Sequence, residues 1–166
     1  MAAVQIRFPE EVLADRESLL QLIRRAEAVF DKEFSFDFSC FAGSQLDRIW
    51  VLGRDEGRDD ALFEALVVSF EVISRFKRTL ESDSILRESR ARVAVGLAMG
   101  RLVRIGRGMV AEPTWVGKPA YLAETLAEAA LDFSIYVSED VHKAALPLFD
   151  FREWKPVKLR SPLPPI

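Results

Sequence analysis

Residues 114–130 read TWVGKPAYLAETLAEAA. It begins like a strand, the run Gly117-Lys118-Pro119 predicts a turn, and the apolar residues that follow recur at helical spacing. A short loop that leads into the N-terminus of a helix is a common phosphate-binding arrangement, because the backbone N–H groups of the first turn attract anions. The stretch therefore raises the question of whether the chain holds a working nucleotide site.

Outward from this stretch, strands and helices alternate along the chain. The segment 82–91 is polar and predicts a connector, and residues 149–160 predict a terminal strand or hairpin. A buried strand is predicted at 133–138, because aromatic and β-branched residues are bounded there by polar ones. The other predicted elements are strands at 2–8, 34–41 and 47–53, two strands with a turn near Met99-Gly100 within 92–106, and helices at 15–31, 60–81 and 138–146.

This order predicts an α+β fold, a ferredoxin-like sandwich in which one mixed, mainly antiparallel sheet carries helices on one side. Residues 1–160 are expected to form a single domain, since 166 residues suffice for one core. The Pro-rich tail at 161–166, SPLPPI, is expected to be extended.

The composition is that of a soluble globular chain, with 49% hydrophobic residues, 30% charged residues and a formal net charge of −3. Nucleic acids and anionic membranes favour a basic face, so neither is an expected partner. No apolar run approaches the roughly 20 residues that span a bilayer. The N-terminus lacks a signal-peptide pattern, and Cys40 is the only cysteine. We therefore expect a cytoplasmic chain without an internal disulfide or a multi-cysteine metal cluster.

Four segments stand out by their order and spacing: RVAVGLAMGRLV (92–103), TWVGKPAYLAETLAEAA (114–130), FSIYVSEDVHKAA (133–145) and VKLR (157–160). Together they resemble motifs of the class III nucleotidyl cyclase catalytic domain, the family of adenylate and guanylate cyclases. The first is similar to that family's R-[IV]-G-[IL]-x-x-G-x-[VL] hairpin, and the second to its T-V-I-G-D-x-V-N-L-A-A-R-L-E-x-x-A segment. The resemblance covers nearly the whole chain and implies a cyclase-type sandwich.

The resemblance also implies what a working site would need. In this family two subunits pair head to tail, and each active site lies at their interface. Two aspartates hold two magnesium or manganese ions on the triphosphate, and an Asn and an Arg from the other subunit steady the ring and the transition state. The ions are needed because the triphosphate is highly charged and the 3′-hydroxyl must become a nucleophile beside it.

Carried over by position, most of these groups are missing. The two aspartates fall on Val4 and Ser44, and the base-selecting Lys falls on Cys40. The ring-positioning Asn falls on Tyr121 and the transition-state Arg on Thr125. Neither Val nor Tyr supplies the oxygen ligands that a hard cation demands, and without metal and Arg the electrostatic stabilisation of phosphoryl transfer is lost. We expect Tyr121 to fill the empty cleft.

The resemblance therefore implies a catalytically degenerate cyclase-like domain that needs no cofactor and acts in signalling by homodimerisation or by binding a partner or ligand. A heterodimer with another cyclase-like subunit or a signalling protein is possible. However, groups are missing from both halves of the site, and this argues against a working partner that completes it.

Two alternatives remain open. The chain is an active cyclase, using magnesium or manganese, if atypical ligands such as Asp47 and Asp37 replace the missing aspartates. It is instead a metal-independent nucleotide sensor if the remaining polar groups hold a nucleotide without turnover. Those candidate ligand-binding residues are Thr114 at a base-selecting position, Lys118 where the family has Asp, Tyr121, and Arg160 at the family's basic phosphate contact.

Overall fold

The fold is described from a computed structural model, which describes residues 2–9, 17, 20–22, 24–25, 39–42, 49–53, 61–101, 103–105 and 114–149. Residues 17, 20–22 and 24–25 are helical, within the helix predicted at 15–31. The strands are β1 (Ala2–Arg7), β2 (Ser39–Ala42), β3 (Ile49–Gly53), β4 (Arg92–Leu97), β5 (Val103–Ile105), β6 (Thr114–Val116) and β7 (Ile135–Val137). The helices whose first and last residues are described are α1 (Ala61–Ser82), α2 (Ser84–Glu88), α3 (Lys118–Ala129) and α4 (Glu139–Ala145).

A five-stranded sheet in the order β2-β3-β1-β4-β7 forms the centre of the described fold. The pairs β2–β3, β3–β1 and β1–β4 are antiparallel, whereas β4–β7 is parallel. The prediction of a mixed, mainly antiparallel sheet with packed helices is therefore confirmed. The predicted terminal strand and the tail lie outside the described residues.

Two details of the predicted sheet are wrong. The strand predicted as buried at 133–138 contains the short strand β7, whose side chains are half-buried, and among the described strands it has a neighbour on one side only. Phe133 precedes it in a turn with φ of 57°. In addition, β5 does not join the large sheet, because the chain turns at Gly100, with φ of 146°, and β5 pairs with β6 in a separate two-stranded sheet.

The two faces of the sheet carry different helices, so the prediction of helices on one side is also wrong. Successive strand residues point to opposite faces. Val93, Val95 and Leu97 of β4 join the core cluster that contains Phe76 of α1. Gly96 instead lies beneath the backbone of α3. Periodicity within β4 could not reveal this second layer, because all of Val93–Leu97 is buried.

The helix α1 anchors the larger core, since Leu66, Val72 and Phe76 are at most 2% exposed. Each such side chain contributes roughly 1.5–3 kcal/mol when it is fully buried. The polar segment after α1 was predicted as a connector, but it contains α2. Asp83 caps this helix, accepting hydrogen bonds from the N–H groups of Ile85 (3.0 Å) and Leu86 (3.1 Å). A five-residue helix is too short for its periodicity to show in the sequence.

Candidate functional site

The helix α3 carries the described part of the candidate site. It begins directly after Gly117, whose φ of 149° lies in the region that favours glycine. Pro119 stands in the first turn, where its missing N–H group leaves no helical hydrogen bond unmade. The predicted sequence of turn and helix is thus confirmed at the centre of the opening stretch.

One face of α3 packs very closely on the sheet. Ala123 and Ala127 are fully buried, and together with Ala98 they form a small core cluster. Beneath them Gly96 of β4 leaves room for the helix backbone itself, because it has no side chain. The small residues on both surfaces bring helix and sheet together, and the position of α3 is thereby fixed along its length.

The C-terminal end of α3 is held by Arg7 of β1. The Arg7 guanidinium donates hydrogen bonds to the carbonyl oxygens of Ala127, Glu128 (2.9 Å) and Ala130 (2.8 Å). It also forms an ion pair with Asp132 at 3.6 Å. The last carbonyls of a helix lack partners within the helix and carry partial negative charge, so a cation there is stabilising. Arg7 therefore acts as a remote cap on the helix.

Gln5 completes this arrangement from the same strand. Its side-chain oxygen accepts a hydrogen bond from Arg7 Nε at 3.1 Å, and the residue is 6% exposed. Gln5 and Arg7 alternate with the apolar Val4 and Ile6, so they occupy the α3 face of the sheet. Neither residue was predicted from the sequence to contribute to the site. The alternation of polar and apolar residues along β1 was a signal for a polar contact on this face.

The outward face of α3 brings three of the predicted site residues together. Lys118 and Tyr121 are exposed, Tyr121 at 43%, and Thr125 follows one turn later. The ring of Tyr121 lies on the exposed side of the helix, and the expectation that it fills the cleft of the site stays a prediction. The Thr125 hydroxyl donates a hydrogen bond to the Tyr121 carbonyl at 2.8 Å. It is therefore engaged with its own helix.

Glu124 gives the same helix a partly buried carboxylate. Burial raises its pKa above the ordinary Glu value, and the nearby charge of Glu128 raises it further. The two residues are separated by one helical turn, a spacing at which like charges repel. This pair was not among the predicted site residues, although the i, i+4 spacing of the two acids is visible in the sequence.

Val4, the position expected for the first metal ligand, lies in the apolar core. It is 1% exposed and pairs in register with Val95 of β4 and Trp50 of β3. A buried valine offers no oxygen to a cation, so this described position does not fit the two-metal site of the cyclase family. The roles inferred for Val4, Tyr121 and Thr125 remain predictions.

Two of the other predicted site residues lie in described strands, and four lie outside the described ranges. Cys40 stands in β2 opposite Leu52, and Thr114 stands in β6 opposite Ile105. Within the described ranges, no three His, Cys, Asp or Glu side chains come together as a metal site. Four predicted residues lie outside those ranges, and their roles remain predictions: Ser44, Asp37, Asp47 and Arg160.

No described helix combines the length and the apolar character needed to cross a membrane. No protein-family model matches the sequence, and no curated protein matches it. The similarity to known proteins therefore comes from solved structures.

Three solved cyclase domains have the same fold. The guanylyl cyclase Cya2 superposes with a TM-score of 0.68 and 14% identity, over 87% of this chain and 77% of Cya2. The guanylate cyclase domain of RhGC from Catenaria anguillulae, in complex with GTP, gives 0.61 and 15% identity, over 87% and 80% of the two chains. The non-canonical dimeric guanylyl cyclase domain of the RhoGC fusion protein from Blastocladiella emersonii gives 0.62 and 13%, over 88% and 83%, and this domain also has a monomeric crystal structure. The chain thus has the fold of the class III nucleotidyl cyclase catalytic domain.

Proposed function

We propose that this chain is a non-catalytic nucleotidyl cyclase-like domain that acts in signalling by pairing with a second copy of itself. The observation that carries the proposal is the outward face of α3. The resemblance assigns the ring-positioning Asn and the transition-state Arg to Tyr121 and Thr125, and both stand on one helix that leads away from the Gly117 turn. Neither side chain is cationic, so neither supplies the positive charge that the family's Arg brings to the transition state of phosphoryl transfer.

The metal half of the site supports the same proposal. A two-metal mechanism needs carboxylates that stabilise both ions beside the triphosphate. The position on β1 that corresponds to the first metal ligand holds Val4, which is buried in the core cluster together with residues of α1. A catalytic chain would therefore need other ligands, and it would need them on both sides of its site.

Dimerisation is supported by what α3 exposes. Tyr121 is 43% exposed in the single chain, and Val103 of β5 is 56% exposed in the hairpin that neighbours α3. Tyrosine is enriched in protein interfaces because it joins a large apolar ring to a polar end. One of the solved domains of this fold is a dimer, which adds support by analogy.

The proposal is tested by two measurements on the purified chain. The first is formation of cyclic product from ATP, GTP, CTP and UTP with manganese and with magnesium. The second is molar mass by light scattering over a range of concentrations. We expect a dimer and no product. Cyclic product that disappears in Asp47→Ala would overturn the proposal and establish the active cyclase with atypical ligands.

A metal-independent nucleotide sensor is the second candidate, and the exposure of Tyr121 favours it. An exposed ring can stack on a base, and Lys118, at the start of the same helix, can attract phosphate. Calorimetric titration with each nucleotide in EDTA separates the two candidates. Nucleotide binding that weakens in both Tyr121→Ala and Lys118→Ala would support the sensor. If no nucleotide gives a heat of binding, the sensor is excluded and the dimerising domain is the remaining candidate.

A further inference from the structure

The outward side of α1 carries a line of exposed side chains. Phe63, Phe70 and Lys77 follow at intervals of seven residues, which places them within an arc of about 40° over about 21 Å of helix. Phe63 is 46% exposed, Phe70 is 53% exposed, and Lys77 is exposed as well. The line therefore begins with two aromatic rings and ends in a cation. Because α1 and α3 pack on opposite faces of the sheet, this surface is separate from the outward face of α3.

The aromatic end of the line contains a third ring. Phe149, in the turn after α4, has its ring centroid 5.7 Å from that of Phe63 and 6.2 Å from that of Phe70. Leu146 and Leu148, beside Phe149 in the chain, are both more than half exposed. We call Phe63, Phe70 and Phe149 the aromatic cluster. Clustered apolar side chains that stay in water mark surfaces that bind other molecules, and aromatic rings are enriched in protein interfaces.

The other end of the line is basic. Lys77 Nζ lies 5.2 Å and Arg92 Cζ lies 5.5 Å from the ring centroid of Phe133. The acid beside them, Asp132, is shared between Arg92 Nε and Arg7 Nη1, each at 3.6 Å. Among the residues that the structure describes, no carboxylate forms an ion pair with Lys77. This end therefore carries a surplus of positive charge, which an acidic group of another molecule can neutralise.

We propose that this side of α1 binds an amphipathic helix of a partner protein. The apolar stripe of that helix covers the aromatic cluster, and its acidic end meets Lys77 and Arg92. The occupant is a helix because side chains seven residues apart stand in line along α1, so a second helix laid beside it meets Phe63, Phe70 and Lys77 in turn. The binding goes beyond the proposed homodimer, since it uses the opposite face of the sheet.

Charge also sets the direction of the partner helix. Lys77 lies in the last third of α1, so a helix antiparallel to α1 brings its own first turns to Lys77. Acidic residues stabilise the first turn of the helix that carries them, and antiparallel helices set opposite dipole ends side by side. Glu71, the acid next to Phe70, is paired with Arg75 at 3.4 Å, so its charge is offset within α1. The partner helix is therefore acidic at its start and apolar after it.

The probe is a synthetic helix of about 18 residues, a length that spans the line on α1. It has Glu in its first two turns, and Leu recurs at intervals of three and four residues after them. A second peptide has Lys in place of each Glu. Binding of both to the purified chain is measured by fluorescence anisotropy at low salt. We expect the acidic peptide to bind at least tenfold more tightly than the basic one. Equal binding of the two peptides, or no binding of either, would overturn the proposal.

Two substitutions locate the binding surface. Phe70→Ser should raise the dissociation constants of both peptides about tenfold, because it removes an aromatic anchor. Lys77→Glu should weaken the acidic peptide about tenfold and strengthen the basic one, so that the preference between them is lost or reversed. Circular dichroism establishes that each variant is folded, and Phe63→Ser replaces Phe70→Ser if that chain does not fold. The matched controls are Met99→Ser and Arg101→Glu, which alter exposed residues beyond the far end of β4 from Arg92 and should stay within about twofold.

Other occupants of the aromatic cluster would give different results. A fall in the molar mass of the chain on Phe70→Ser would show that the cluster pairs two copies of the chain. Binding of phosphatidylcholine vesicles that is lost on Phe70→Ser would show a lipid surface instead. Either result would overturn the helical partner, as would a Phe70→Ser chain that binds the acidic peptide as tightly as the wild type. A wild-type chain that is monomeric at high concentration would overturn homodimerisation alone, and the peptide measurements would still decide this proposal.

Discussion

The close approach of α3 to the sheet makes Gly96→Ala the most informative substitution. A Cβ atom built on Gly96 would lie 1.9 Å from the carbonyl oxygen of Ala123 and 2.4 Å from the backbone nitrogen of Ala127. It would also lie 2.9 Å from the Leu126 Cβ. Real Cβ contacts begin at about 3.0 Å, so the helix must retreat by about 1 Å. The nearest atoms are backbone, and therefore no side-chain rotation can relieve the clash.

The expected loss follows from this geometry. Adding a methyl group to a well-packed core costs typically about 1–3 kcal/mol, and more where the backbone must move. We therefore expect Gly96→Ala to lower the free energy of unfolding by about 3 kcal/mol or more. For a chain of this size that corresponds to a fall in Tm of roughly 6–12 °C.

The assay is equilibrium urea unfolding followed by circular dichroism, with thermal melts in parallel. Ala94→Gly is the matched control, because it removes a methyl group from the same face of β4 and should cost only about 1–2 kcal/mol. A Gly96→Ala chain that loses less than about 0.5 kcal/mol would refute the close packing of α3 on β4. Since that packing positions the outward face of α3, a folded Gly96→Ala chain should also dimerise more weakly.

Three further predictions use the same unfolding assay. Arg7→Met should lower the free energy of unfolding by about 2–3 kcal/mol, because charge-assisted hydrogen bonds to the end of α3 are lost. Arg7→Lys should lower it by about half as much, since one ammonium group cannot span three carbonyls. Equal losses in the two variants would contradict the guanidinium cap. Asp83→Ala should cost about 1 kcal/mol above pH 4. Hydrogen bonds from Leu86 N–H and the Arg25 side chain hold the pKa of Asp83 below its ordinary 3.8. The loss of stability in Asp83→Ala should therefore vanish as pH falls through the lowered pKa. A loss that does not depend on pH would contradict the charged cap. Glu124→Gln should stabilise the chain at pH 7 by roughly a few tenths of a kcal/mol after solvent screening, because burial raises the pKa of Glu124 and disfavours its ionised form. This gain should disappear as pH falls through the raised pKa, and a loss of stability at pH 7 would contradict this account.

The central part of the fold could be predicted from local patterns. The helix α1 follows from regular apolar spacing over 22 residues, and α3 follows from a glycine turn and a first-turn proline. The strand β4 follows from a run of apolar residues between polar ones. These signals are local, so they do not depend on which surface the element packs against.

What could not be predicted depends on partners that are distant in sequence. The edge position of β7 among the described strands and the separate β5–β6 sheet are set by which strands pair, and strand composition does not encode this. The role of Arg7 was hidden because its acceptors lie more than 100 residues away. In the candidate site, the shared face of Lys118, Tyr121 and Thr125 could be predicted from helical spacing. The exposure of Tyr121 could not, because it depends on what packs around the helix.

The Arg7 cap also bears on the order in which the chain can fold. Its acceptor at Ala130 lies 123 residues further along, and β1 stands between β3 and β4 in the sheet. Contacts between distant residues close late, because a large loop must lose its freedom before they form. During synthesis, β1 is made before both of its neighbours, and it obtains the second of them only after β4 emerges. Until then one edge of β1 keeps its backbone hydrogen-bonding groups unpaired, and such an open edge can pair with another chain.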